Sequence, residues 1–170
     1  MAGLTIRPET GQDYAAIARV TEAAFGKPRE ALMVDAVRSS DGFVPELSLV
    51  AELDGVDVGH VMLSYVELGE DSHRVLELGP MSVVPEHQRT GIGSALVEEA
   101  IHRANKRGEP LVLVLGHPTY YPRFGFRPTS TLGITPPDPE IRDEVFMAIP
   151  LRAYHPALRG RVTFPPAFVT

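Results

Sequence analysis

A change of hydrophobic period at Pro85 constrains this chain more than any other feature. Before it, Leu47, Leu49, Ala51 and Leu53 alternate with Ser48, Val50 and Glu52, the two-residue period of a strand. After it, Gly93, Leu96, Val97, Ala100, Ile101 and Ala104 recur at the three- and four-residue spacing of a helix, with Ser94, Glu98, His102 and Asn105 on the opposite side. Arg103, Lys106 and Arg107 cluster at the C-terminal end, where the helix dipole favours cations, and Gly108 stops the helix. Leu111 to Leu115 is then an unbroken apolar run between Pro110 and Gly116, as in a buried strand. From Val84 to Leu115 the chain therefore reads strand, loop, helix, strand.

Upstream, Asp54-Gly55 separates two β-type runs, a hairpin signal, and Gly69-Glu70-Asp71-Ser72 separates Val56–Leu68 from Val75–Val84. Three consecutive antiparallel strands follow. Leu4 to Arg7 reads as a first strand closed by Pro8. Asp13 is placed to cap a helix through Phe25, with Ile17, Val20 and Ala24 on one face. Pro28 suits the first turn of a second helix, which should turn Leu32, Met33, Ala36 and Val37 inward. Downstream, Pro118 to Phe124 suits a helical turn and Val145 to Ile149 a strand. Eleven of the 16 prolines fall in the last 61 residues, so this third is broken into short elements. Residues 1–150 are expected to form one domain. Residues 151–170 are expected to be an irregular Pro-rich tail packed on it.

Composition narrows the function. Sixteen Lys and Arg against 22 Asp and Glu give a net charge of −6, which argues against nucleic-acid binding. With no cysteine, a covalent cysteine intermediate and a Cys-ligated metal are excluded. The N-terminus lacks a secretory pattern and no apolar run spans a bilayer, so no membrane association and a cytoplasmic location are expected. No His, Asp and Glu spacing suggests a metal. His60, His73, His87 and His102 read as surface or loop residues.

The segment Gln88-Arg89-Thr90-Gly91-Ile92-Gly93 joins a strand to the start of the best helix. Its glycines let the backbone approach a ligand, and the free N–H groups at a helix start attract anions. It lacks the Gly-Lys-Ser/Thr of a Walker loop and the third glycine of a dinucleotide fingerprint. Its chemistry is that of a phosphate or pyrophosphate cradle.

Met81-Ser82-Val83-Val84-Pro85-Glu86-His87-Gln88-Arg89-Thr90-Gly91-Ile92-Gly93-Ser94-Ala95-Leu96 resembles motif A of the GNAT superfamily of N-acetyltransferases, whose core is Q/R-x-x-G-x-G/A. Tyr121-Pro122-Arg123-Phe124-Gly125-Phe126 resembles a later motif of that family, and element order agrees from about Leu4 to Ile149. The resemblance implies an α/β fold of α+β type, with a mixed, mostly antiparallel central sheet flanked by helices and splayed at a cofactor cleft. It implies acetyl-CoA as acetyl donor. The pyrophosphate would rest on the loop and helix start (Gln88, Arg89, Thr90, Gly91, Ile92, Gly93 and Ser94). The pantetheine arm would run along Met81, Ser82 and Val83.

The implied activity is acetyl transfer to a primary amine by direct attack in a ternary complex. Tyr121 aligns with the family's general acid, and a backbone N–H near Val83 would polarise the thioester carbonyl. Glu77, on the strand leading to motif A, is a candidate base, with His117 a comparable second choice. Tyr120 reads as aromatic packing. Many relatives carry an Asn seven residues before the Tyr, where this chain has Val114. The acceptor is expected to be a small-molecule or peptide amine and the protein a monomer or homodimer. Two rival readings are a GNAT-fold module that binds acyl-CoA without turnover and a protein or peptide N-acetyltransferase.

Overall fold

The computed structural model describes residues 2–169; Met1 and Thr170, the outer limits of the two expected ranges, lie outside the described residues. Strands β1 (Leu4–Pro8), β2 (Phe43–Leu53), β3 (Val56–Leu68) and β4 (His73–Val83) pair antiparallel in chain order. Asp54 and Gly55 both take left-handed backbone (φ 50° and 85°), the primed turn that suits the twist of a two-residue hairpin. Helix α3 (Ile92–Lys106) then carries the chain to β5 (Leu111–Leu115), which runs parallel to β4. Strand β8 (Phe146–Pro150) pairs antiparallel with β5, and the two-residue β6 (Arg127–Pro128) pairs with β8. The fold is the mixed, mostly antiparallel sheet with flanking helices that the family resemblance implies.

The alternation of each strand divides the core between two faces. Leu49, Ala51, Val61, Leu63, Leu76 and Leu78 meet Leu96, Val97, Ala100 and Ala104 of α3. On the other face, Val50 and Met62 meet Ile17 of α1 (Tyr14–Phe25) and Val34 and Val37 of α2 (Arg29–Arg38). Replacing a fully buried side chain such as Leu96 by Ala would cost about 2–5 kcal/mol through lost transfer energy and the cavity left behind.

Several expectations need correction. The buried stripe of α2 is Ala31, Val34 and Val37; Leu32, expected inward, is 60% exposed, because its neighbours rather than its hydrophobicity fix the helix rotation. Asp13 does not cap α1 with its side chain. Its carboxylate accepts from the Thr10 backbone N–H at 2.7 Å and forms a two-pronged pair with Arg7 at 2.8 and 2.9 Å. The tail is not merely irregular. In its proline-free stretch between Pro156 and Pro165, β9 (Gly160–Thr163) pairs with Glu67 and Leu68 of β3 and with β7 (Ile134–Thr135). Val162 is thereby buried against Leu68 and Phe146 in a second core region.

His60 is also corrected. It is wholly buried on β3, where its Nε2 lies 2.9 Å from Ser48 Oγ and 3.2 Å from Glu9 Oε1. Glu9 also accepts from Ser48 Oγ and from Arg38 Nε at 2.6 Å. Burial pulls the imidazole pKa down against the pull of Glu9, so the ring is neutral and Nε2–H donates to the carboxylate. Periodicity misses this polar cluster because its four residues come from β2, β3, α2 and the loop after β1.

Candidate functional site

Strands β4 and β5 pair only from Leu76–Val112 to Leu78–Val114, whereas β4 continues to Val83. Beyond Leu78 they diverge, and a cleft of about 870 Å³ opens between them. Opposite the divergence, the β3–β4 register slips between Val61 and Leu63, a bulge that bends the strand away. The end of α1 (Ala24, Phe25), the loop before α3 and the segment from Leu115 to Arg123 complete the walls.

Backbone direction fixes which groups face this space. The Val84 N–H bonds to Val58 O at 2.9 Å, toward β3. Successive strand residues point their N–H and C=O groups to opposite sides, so the N–H groups of Val83 and Met81 face the cleft. The Val83 carbonyl does so too, accepting from Gln88 Nε2 at 2.9 Å. Ser82 lines the cleft, but its hydroxyl is 3.3 Å from Thr21 Oγ1 in the interior, beneath α1.

The loop is shaped by left-handed backbone at Arg89 (φ 62°) and Gly91 (φ 96°). The first intrahelical bond of α3 runs from Ala95 N to Gly91 O at 3.0 Å, leaving the N–H groups of Ile92, Gly93 and Ser94 without helical acceptors. Gly93 is helical, so its lack of Cβ serves space: a Cβ there would sit 3.3 Å from Tyr120 Oη and 3.8 Å from the Met81 methyl. Gln88, Arg89, Gly91, Gly93 and Ser94 line the cleft. Ile92 turns its side chain into the core and offers only its backbone, and Thr90 turns its exposed side chain to the His87 carbonyl. Free N–H groups at a helix start, a close backbone and no intruding Cβ together suit a phosphate-bearing ligand.

Tyr121 begins a short 3-10 turn and is 7% exposed. Its ring lies over Gly116, where a Cβ would meet it at 2.4 Å, and packs edge-on against Tyr120 and Phe126. Burial first, then Tyr120 and Glu77, push its pKa above the ordinary phenol value, so the hydroxyl is protonated at neutral pH. Tyr120 does more than pack. Its Oη is 3.3 Å from Ser94 Oγ at the helix start, and the Arg123 guanidinium lies 4.7 Å over its ring. Arg123 and the exposed His117 also line the cleft.

Glu77 is placed unexpectedly for a strand carboxylate. It is 4% exposed, on the face of the sheet away from α3, and does not line the cleft. Burial raises its pKa to about 8, countered only by the Leu115 backbone N–H. The negative charge of Glu77 in turn adds to the rise of the Tyr121 pKa.

A second groove of about 960 Å³ lies at the other end of the β3–β4 hairpin, between Ser39–Gly42 and Thr163–Ala167. There Arg74 stacks 4.3 Å over Tyr65 and donates to the Asp41 carbonyl at 2.6 Å. It lacks the free helix start and the unpaired strand edge that distinguish the cleft. Among the described residues, no three His, Asp or Glu side chains converge as metal ligands, and no helix is long and apolar enough to cross a membrane.

Residues 45–128 match the family model of the acetyltransferase (GNAT) domain. The uncharacterized N-acetyltransferase YjhQ of Escherichia coli K12 is 38% identical over 120 residues, 69% of this chain; the chain spans just under two thirds (66%) of that relative. The uncharacterized N-acetyltransferase YhbS of the same strain is 32% identical over 124 residues, covering 72% of this chain and 73% of its own length. Among solved structures, Escherichia coli YhbS in complex with CoA superposes with a TM-score of 0.90 at 25% identity, over 98% of this chain and 92% of that one. A GNAT family acetyltransferase from Brucella melitensis in complex with acetyl-CoA has a TM-score of 0.80 at 34% identity, over 97% of both chains.

Proposed function

The chain belongs to the GNAT family of N-acetyltransferases, and on that premise we propose that it moves the acetyl group of acetyl-CoA to a primary amine by direct attack in a ternary complex. The observation that carries this reading is the convergence on one cleft of three features: the free N–H groups at the start of α3, the cleft-facing N–H groups of Met81 and Val83 on the open edge of β4, and the protonated hydroxyl of Tyr121. The CoA complexes of YhbS and of the Brucella melitensis protein support the choice of donor.

Acetyl-CoA would supply an acetyl group activated as a thioester. The N–H groups of Ile92, Gly93 and Ser94 would hold its pyrophosphate, with Arg89 at the loop and Arg123 across the cleft adding positive charge. The pantetheine arm would run beside the strand edge from Met81 to Val83 as an added strand does, the Met81 backbone pairing with its amides. In the same reading the Val83 N–H faces the thioester carbonyl and stabilises the charge that grows there. Tyr121 donates its proton to the departing sulfur. Glu77 accepts the proton released by the amine, and since it is buried behind the cleft wall, that proton reaches it indirectly rather than by contact with the amine. With no cysteine in the chain, no thiol can carry the acetyl group between donor and acceptor.

The acceptor belongs to the class of small-molecule or peptide amines. Residues 1–150 serve as one catalytic domain, to which 151–170 contribute β9. The test is release of free CoA thiol from acetyl-CoA across a panel of small amines and peptide N-termini. Turnover with any amine, falling about 10²–10⁴-fold in Tyr121→Phe with acetyl-CoA affinity retained, is the expected result. Tight acetyl-CoA binding with no turnover on any amine would favour the rival reading of a non-catalytic module.

A further inference from the structure

Building on the reading of Glu77 as the proton acceptor, we infer that Ser64 is a positioning residue whose hydroxyl holds the Glu77 carboxyl ready for proton transfer. Ser64 on β3 stands directly opposite Glu77 on β4. Opposed residues of an antiparallel pair project from the same face with Cβ atoms about 4.5–5.5 Å apart. Both are buried, at 1% and 4% exposure. Ser64 Oγ and Glu77 Oε2 each lack a hydrogen-bond partner within the protein. Next in the same row across the sheet come Leu113 and Ala148, both apolar. The pairing places the two orphaned oxygens on one face of neighbouring strands, where a hydroxyl rotation or one shared water would join them.

The charged groups of the neighbouring elements are exposed, paired elsewhere or on the other face of the sheet. Tyr121 is the titratable group that couples to Glu77. On α1, Arg19 and Glu22 are exposed; on α2, Glu30 pairs with Lys27 and Arg38 with Glu9. On β3, His60 is engaged with Glu9, and Glu67 lies at the far end of the hairpin opposite Arg74. Strands β5 and β8 carry no charged residue, and the charged residues of α3 belong to a helix on the other face. A hydroxyl that donates to the ionised carboxylate favours that form. Ser64 thus limits how far burial can hold Glu77 protonated, keeping it able to exchange a proton near neutral pH.

The test reads Glu77 itself, in the full-length protein without any acceptor, by titrating the infrared band of the protonated carboxyl. Glu77→Gln should remove the band; a titrating band that survives would overturn the proton-acceptor reading. Ser64→Ala should move the midpoint about one pH unit upward, a tenfold change in proton affinity. Ser64→Cys, which keeps the shape and loses the strong donor, should shift it likewise, and Ser64→Thr should restore it. A midpoint in Ser64→Ala and Ser64→Cys equal to that of the parent protein would overturn the role of Ser64 while leaving Glu77 as the titrating group. A purely structural Ser64 would alter the melting temperature without moving the midpoint.

Discussion

The side-chain amide of Gln88 donates to the main-chain carbonyl of Val83 at 2.9 Å. This bond ties the glycine-bearing loop to the last residue of the strand that lines the cleft, and so fixes the helix start relative to the strand edge. Gln88→Ala leaves the helix and the strand intact but unpins one from the other. We expect the KM for acetyl-CoA to rise about 5–10-fold, matching the loss of one hydrogen bond worth about 1 kcal/mol, with kcat changed little. Steady-state kinetics on acetyl-CoA check this.

Gly91 and Gly93 should fail in different ways. Gly91 is left-handed with open space around its missing Cβ, so Gly91→Ala costs backbone strain, about 1–2 kcal/mol of stability. Gly93 is helical, where Ala is favoured over Gly by about 1 kcal/mol, yet its Cβ would crowd Tyr120 Oη and enter the cradle. Gly93→Ala should therefore melt no lower than the parent protein and bind acetyl-CoA at least tenfold more weakly. Calorimetry of both variants, by melting and by titration, separates the two effects.

Glu77 links stability to pH with a definite sign. Burial raises its folded pKa to about 8 from an ordinary 4.5, so the folded state binds the proton more tightly than the unfolded state. This group therefore costs nothing below about pH 4.5 and progressively destabilises the fold as pH rises to 8, by on the order of 4 kcal/mol. Glu77→Gln is neutral throughout and removes that slope. Denaturant titrations at pH 5 and pH 8 should show the variant gaining on the parent protein as pH rises; an equal difference at both values would contradict the buried, protonated placement.

The cluster around Glu9 works in the opposite sense. Burial would raise the Glu9 pKa, but hydrogen bonds from His60, Arg38 and Ser48 outweigh it and bring the value down to about 2. Its stabilisation is present above pH 4.5 and is lost as pH falls toward 2. Glu9→Gln should flatten the acid side of the stability curve. His60→Ala should cost about 2–4 kcal/mol at pH 7, because it opens a cavity and removes a donor from a buried carboxylate. Neither residue lines the cleft, so acetyl-CoA affinity should hold in both variants while they remain folded.

Much of the site could be read along the chain. Gln88 to Ser94 lies within one turn and the start of one helix, and both its glycines and its position between two hydrophobic periods are local properties. Tyr121 could be picked out only through its resemblance to a later motif of the family, and Arg123, within that motif, was not among the residues assigned to the site. Phe25 and Ala24 were not legible, because α1 reaches the cleft only by packing across β3 and β4.

The elements are legible along the chain: three antiparallel strands, a glycine-bearing loop, an amphipathic helix and a buried strand. Hydrophobic period, turn residues and helix caps act over a few residues, so they can be read without the fold. Which polar groups are buried, and what they face, follows from packing between elements distant in sequence. Glu77, Ser64 and His60 occupy strand positions that alternation alone cannot assign, because both faces of this sheet are covered. Neighbours from helices and strands distant in sequence exclude water from them, and that exclusion is what turns a strand carboxylate into a group that titrates near neutral pH.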